Sequence, residues 1–174
     1  MKNNKVMLVL KVVQCLNGEK SVGLTTIKKI PYVLHCCGID LGVKFRTGSK
    51  GPYSYDFNDI CKAWEESGII TIEADDTTRL IHVSDKFKAS DYAFTERELC
   101  IADEVVKLFK RFRSIIEAEM FALILERKVN NIKIPKEPSR YDSYYFSGDM
   151  NRLNQVLCDF EKAIRPYLDN PWFS

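Results

Sequence analysis

At 174 residues, with 45% hydrophobic side chains and a formal net charge of +2, the chain is long enough for one domain or a little more. It is also apolar enough to bury a core without covalent staples, which excludes collagen-like, low-complexity and disordered classes. The charge is unevenly spread: residues 1–52 hold nine Lys/Arg against two Asp/Glu, residues 53–104 five against thirteen, and residues 105–174 twelve against nine. Such asymmetry bears on partners rather than on fold.

In chain order, residues 4–17 predict a first helix that stops at Asn17-Gly18. Its core, Val6 to Leu16, is the most apolar stretch of the chain. It is shorter than the roughly 20 residues a bilayer requires and Lys11 interrupts it, so a buried helix is expected and a membrane span is not. Thr25 and Thr26 offer N-caps for a second helix reaching Cys37, with Ile27, Ile30, Leu34 and Cys37 at helical spacing. Pro31 is tolerated only in a first turn, which moves the helix proper to near Lys28, and Gly38 closes it. Val43-Lys44-Phe45-Arg46 alternates like a short strand and leads into Thr47-Gly48-Ser49-Lys50-Gly51. Ser54 then caps a third, amphipathic helix through Phe57, Ile60, Cys61 and Trp64, halted by Gly68.

Two β-rich runs, Ile69 to Glu73 and Arg79 to Val83, flank the polar Ala74-Asp75-Asp76-Thr77-Thr78 and predict a hairpin. From residue 90 to about 128 the pattern is helical, with one apolar stripe at Ile101, Val105, Leu108 and Phe112 and another beyond Ser114 at Ile115, Met120, Leu123 and Ile124. A proline-bearing loop, Ile134 to Pro138, and a Tyr-rich turn with Tyr141, Tyr144 and Tyr145 precede a last helix from Asp149 to about Leu168. The expected class is mainly α (α+β): a winged-helix-like core with a small β-hairpin over residues 1–90, and a helical extension over 91–174 packed on it.

The cysteines, Cys15, Cys36, Cys37, Cys61, Cys100 and Cys158, contain no C-x-x-C pair, and His35 and His82 are not spaced as a ligand pair. Most have apolar neighbours, as Cys15 and Cys100 do, so reduced core thiols are expected. With no signal-peptide pattern, that points to the cytoplasm. No catalytic, metal or cofactor site is expected. Walker, H-E-x-x-H, G-x-S-x-G and Rossmann motifs are missing from the sequence. His35 beside Cys36 does not make a dyad, because helix neighbours point in different directions.

Three stretches resemble a known family. Thr25-Thr26-Ile27-Lys28-Lys29-Ile30-Pro31-Tyr32-Val33-Leu34 is similar to the second-helix signature of the SocA-like (Panacea) antitoxins and YwgA-like proteins. Phe45-Arg46 followed by Lys50-Gly51-Pro52-Tyr53-Ser54 is similar to their F-R and Y-G-P-Y-S, and Gly68-Ile69-Ile70 to their G-L-I. The resemblance spans residues 5–85. Pro31, Thr26 and Lys50 depart from it, and Val83-Ser84-Asp85 stands where a T-x-x-G is usual. It implies a non-enzymatic, antitoxin-like or adaptor-like protein that neutralises or regulates a partner protein, such as a toxin, by direct binding.

The residues allow a test of the competing expectation, nucleic-acid binding. Helix three carries Asp56, Asp59, Glu65 and Glu66 against a lone Lys62, and the hairpin adds Glu73, Asp75 and Asp76, so both would meet phosphates with the wrong sign. A basic face of Lys2, Lys5, Lys28, Lys29, Lys44, Arg46 and Lys50, or the run Lys107, Lys110, Arg111 and Arg113, is the alternative route to nucleic acid. Protein recognition is favoured, with Lys44, Arg46, Lys50, Tyr53, Tyr55, Asp56, Asp59, Asp75 and Asp76 as the partner-binding set. The acidic and basic regions are complementary to each other, which makes a homodimer a further expectation.

Overall fold

The structure, a computed structural model, describes residues 4–74, 78–131 and 150–174. Helix α1 (Leu8–Asn17) continues from a 3-10 turn at Lys5–Met7 and carries the most apolar run of the chain into the interior. Leu8, Val9, Leu10, Val12, Val13 and Leu16 are all buried, while Lys11, Gln14 and Cys15, at helical spacing, form a narrow face that is not. The Asn17 side chain fixes the helix end. Its amide donates to the Ile81 carbonyl at 3.0 Å and its oxygen accepts from the Val83 N–H at 3.0 Å.

The second helix is broken in two, α2 (Leu24–Ile27) and α3 (Ile30–Cys36). Gly23 stands at the N-cap of α2 without a side-chain hydrogen bond, so Thr25 and Thr26 lie inside the helix and are not its caps. Pro31 sits in the first turn of α3, where its missing N–H costs nothing; this is the physical reason for the break. Helix α4 (Tyr55–Glu66) starts as predicted, with the Ser54 hydroxyl accepting from the Phe57 N–H at 3.1 Å. It closes in a Schellman motif: Gly68, at φ +80°, donates to the Glu65 carbonyl and Ile69 to that of Trp64.

The sheet has three antiparallel strands in the order β1 (Val22–Gly23), β3 (Arg79–Val83), β2 (Ile70–Ala74). Ile70 pairs with Val83 and Ala74 with Arg79, while Val22 pairs with Ile81 on the other side of β3. The predicted hairpin is present, its tip lying outside the described residues. The strand expected at Val43–Arg46 is not part of this sheet. That segment makes a single bridge, Arg46 with Tyr53, and the third strand is Val22–Gly23. Two residues, one of them glycine, leave too short a pattern for alternation to be seen.

Helices α5 (Glu96–Lys110), α6 (Ile115–Val129) and α7 (Met150–Ile164) complete the fold. Thr95 and Glu98 form a reciprocal capping box at the start of α5. Ser114 caps α6, whose residues Ala118 to Glu126 are all buried. Helix α7 ends at Ile164, before a 3-10 turn containing Pro166, so the predicted end at Leu168 is four residues too far. Apolar residues from α1 to α7 make one continuous cluster, with Phe57, Phe109, Phe121 and Phe160 within it. The chain is thus mainly helical with a small antiparallel sheet, and no described helix is long and apolar enough to cross a membrane.

The cysteines are all unpaired, but only Cys37 and Cys61 are buried. Cys15 and Cys158 are exposed and Cys36 and Cys100 half-buried, which corrects the expectation of core thiols for Cys15 and Cys100. Apolar neighbours in sequence do not settle burial on a helix, where one residue is rotated by about 100° from the next.

Candidate functional site

Between α3 and α4 the chain crosses α6, held there by a buried cation. Lys29 is 6% exposed, and its ammonium donates to the Lys50 carbonyl at 2.9 Å and the Pro52 carbonyl at 3.1 Å. Burial lowers its pKa, and the nearby Glu119 and Glu126 of α6 oppose that shift. Gly51 fits the crossing because its φ of +92° is one that L side chains rarely adopt. A Cβ there would make ordinary contacts, 3.5 Å from the Leu123 nitrogen and 3.6 Å from the Lys29 ammonium, so the requirement for glycine is conformational. The Lys-Gly-Pro-Tyr-Ser stretch therefore has a local physical role: it docks the loop and starts α4.

That docking sets out a surface. Arg46 and Tyr53 exchange backbone hydrogen bonds at 2.8 and 2.9 Å, which places Tyr53 edge-on to Tyr55 with ring centroids 5.3 Å apart. A side-chain hydrogen bond with Tyr55 holds the Tyr53 phenol above its usual pKa. The Arg46 guanidinium lies over the Tyr55 ring, 5.5 Å from its centroid. Tyr55 is 59% exposed, the one large hydrophobic side chain so exposed among the described residues.

The other expected contact residues divide. Asp56 accepts a hydrogen bond from the Lys44 backbone N–H at 2.9 Å, so this pair ties the loop to α4 as well as facing solvent. Asp59 is exposed one turn further along α4. The Lys50 carbonyl is occupied by Lys29, while the Lys50 residue is exposed. Asp75 and Asp76 lie outside the described residues, as do Lys2, Tyr141, Tyr144 and Tyr145.

The two basic faces keep exposed members, Lys44, Arg46 and Lys50 in the first, but others are spent inside the fold. Lys29 is buried, and Lys5 is committed to the Glu98 carboxylate at 2.7 Å and the Ala93 carbonyl at 2.8 Å. In the second run Lys107 pairs with Glu104, Lys110 with Glu19 and Arg111 with Asp159, at 3.1, 2.9 and 2.8 Å. Glu104 is a local partner, three residues from Lys107, whereas Glu19 and Asp159 are distant in sequence and were invisible to a count of local charge.

Beside Tyr53 a cleft of about 580 Å³ opens between α3, the loop and the end of α6. Tyr32, His35, Phe45 and Tyr53 line it together with Glu126. Tyr32 stands edge-on to Phe45 at 5.3 Å, and His35 lies 5.0 Å from Phe45. Desolvation lowers the His35 pKa, so the imidazole is neutral at pH 7. Burial pushes the Cys36 thiol up to about 12, which leaves it protonated beside that imidazole. Glu126 is 5% exposed, and burial raises its pKa.

The sequence reasoning missed Glu126, Tyr32 and Phe45. The available signal was weak: Glu126 directly follows the apolar run Met120 to Leu125, but Arg127 and Lys128 stand next to it. Among the described residues no group of three or more His, Cys, Asp and Glu is placed to hold a metal ion. Set against known proteins, the chain matches no family model and no curated protein significantly.

Proposed function

We propose that the chain is a protein-binding module, antitoxin-like or adaptor-like in the SocA-like (Panacea) and YwgA-like manner, that regulates a partner protein by direct contact and carries no catalytic step. The core of the proposal is a winged helix. Supporting it are the order α1, β1, α2–α3, α4, β2, β3 and the pairing of β1 with β3, the hairpin following directly on α4. The motifs quoted from residues 25–34 and 45–54 fall where the loop crosses α6, which favours the family resemblance on physical grounds.

One observation carries the functional reading: Tyr55, exposed at the start of α4, with the Arg46 guanidinium over its ring and Tyr53 edge-on to it. Tyrosine and arginine on a rigid support are the side chains that dominate protein interfaces. The exposed residues further along α4, Asp59, Glu65 and Glu66, extend this surface with negative charge, a pattern suited to a basic partner and adverse to phosphates.

The experiment is affinity capture of the full chain from nuclease-treated host lysate, run in parallel with Tyr55→Ala and with Asp59→Lys/Glu66→Lys. A stoichiometric protein retained by the native chain and lost with either variant is the expected result. Retention of the same protein by both variants refutes this surface. Recovery of nucleic acid alone, with affinity falling steeply in salt, replaces the proposal with a nucleic-acid-binding regulator.

A further inference from the structure

The cleft beside Tyr53 combines features that ordinary packing does not require. Part of its lining is aromatic: Tyr32 and Phe45 meet edge to face, His35 and Tyr53 extend them, and Arg46, Thr47 and Asn130 add polar groups. The Tyr32 hydroxyl is hydrogen-bonded with the side chains of Cys36 and Asn130, which fixes the ring. In the same cleft lies Glu126, nine-tenths buried, and no described residue donates a hydrogen bond to its carboxylate. Its oxygens are not sealed in the core, because no buried side-chain oxygen or nitrogen there lacks a partner. A buried carboxylate that lines a partly aromatic cleft is placed to receive a donor from outside.

The competing charges agree with that assignment. His35 is neutral at pH 7. Lys29 and Arg127 both attract Glu126, and Lys29 spends its hydrogen bonds on the Lys50 and Pro52 carbonyls. Arg46 stands exposed at the rim, over the Tyr55 ring.

We infer that this cleft is a binding site for an alkylammonium group, with the cation held against the Tyr32 and Phe45 rings and its N–H donated to the Glu126 carboxylate. Rings of this kind attract a cation through their negative faces, and the buried carboxylate adds a charge-assisted hydrogen bond. The volume accommodates a lysine side chain or a free amine of similar length. The inference stands whether or not the Tyr55 surface binds a protein.

The test titrates the full chain with three probes: propylammonium, the peptide acetyl-Gly-Lys-Gly-amide, and the same peptide acetylated on its lysine. Binding is read from NMR shifts of the Tyr32 and Phe45 rings, in the native chain, Glu126→Gln, Phe45→Leu and Asp85→Asn. Saturable shifts with a charged probe, absent with the neutral peptide and weakened about tenfold or more by Glu126→Gln, are expected. Phe45→Leu also weakens binding, and Asp85→Asn, at an exposed turn outside the cleft, leaves it unchanged. A peptide preferred over propylammonium assigns the amine to a protein lysine, and the reverse order to a free small molecule; both support the site. Equal binding of charged and neutral peptides, unaltered binding in a folded Glu126→Gln, or no ring shift with either amine at millimolar concentration overturns it.

Discussion

Glu126 and Gly51 show how single residues in this chain answer to surroundings that lie far off in sequence. Desolvation raises the folded-state pKa of Glu126, with Lys29 and Arg127 opposing. Its stabilising contribution is therefore complete below the unfolded carboxyl pKa and is lost as pH rises through the folded value. Glu126→Gln is expected to raise the melting temperature at pH 7 by about 2–4 °C, and to lose that advantage below about pH 4. Calorimetry at both pH values checks it, and an unchanged or lowered midpoint at pH 7 contradicts the assignment. At Gly51 the opposite sign holds. Gly51→Ala forces a side chain into φ +92°, in ordinary contact with Leu123 and Lys29, at a cost of about 1 kcal/mol or more by chemical denaturation. The loop that carries Arg46 and Tyr53 should loosen with it, measured as faster amide exchange at those two residues.

At the scale of elements, the start of α5 is fixed by more than its own cap. Thr95 accepts from the Glu98 N–H at 3.1 Å, the Glu98 carboxylate accepts from the Thr95 N–H at 2.8 Å, and Lys5 reaches the same carboxylate at 2.7 Å. Burial pushes the Glu98 carboxyl up, but the hydrogen bonds from Lys5 and Thr95 together outweigh it and leave its pKa lowered. A depressed carboxyl contributes stability that is present above its unfolded pKa and is lost as pH falls through the folded value. Thr95→Ala is expected to cost about 1 kcal/mol at pH 7. Lys5→Met should flatten the loss of stability below about pH 4. Denaturant unfolding across pH tests both, and parallel acid limbs for Lys5→Met and the native chain would refute the link.

At the scale of the whole molecule, three distant pieces of chain meet on Glu161 of α7. Its carboxylate accepts from Lys128 of α6 at 2.8 Å and from the Trp172 indole at 2.8 Å, and the residue is 5% exposed. The tail is held again where Arg165 lies 4.9 Å from the centre of the Phe173 ring. Glu161→Ala removes the acceptor from two donors at once and should cost about 1–3 kcal/mol. Glu161→Gln, which keeps an acceptor, should recover part of it. Trp172 fluorescence reports directly on the tail, and an emission maximum that stays put in Glu161→Ala would exclude the contact.

Local chemistry was enough to place several of these features from the sequence alone. The run from Val6 to Leu16 is apolar around most of its circumference, with only Lys11, Gln14 and Cys15 on a narrow unburied face, so most of it had to be buried. Ser54 and Gly68 bracket α4 through hydrogen bonds made within a few residues, and Arg79 to Val83 alternates over a full strand. Helical content and a small antiparallel hairpin followed from such short-range rules. Partners across the fold were not legible. Val22–Gly23 becomes a strand only because β3 lies beside it, and Lys29 leaves the surface only because the Lys50 and Pro52 carbonyls and two carboxylates of α6 surround it. The cleft itself is assembled from residues 32 to 126, and its carboxylate looks in sequence like one more charge on a helix. Periodicity reports which face of an element is apolar; which other element covers that face, and which charge ends up beneath it, is decided by packing.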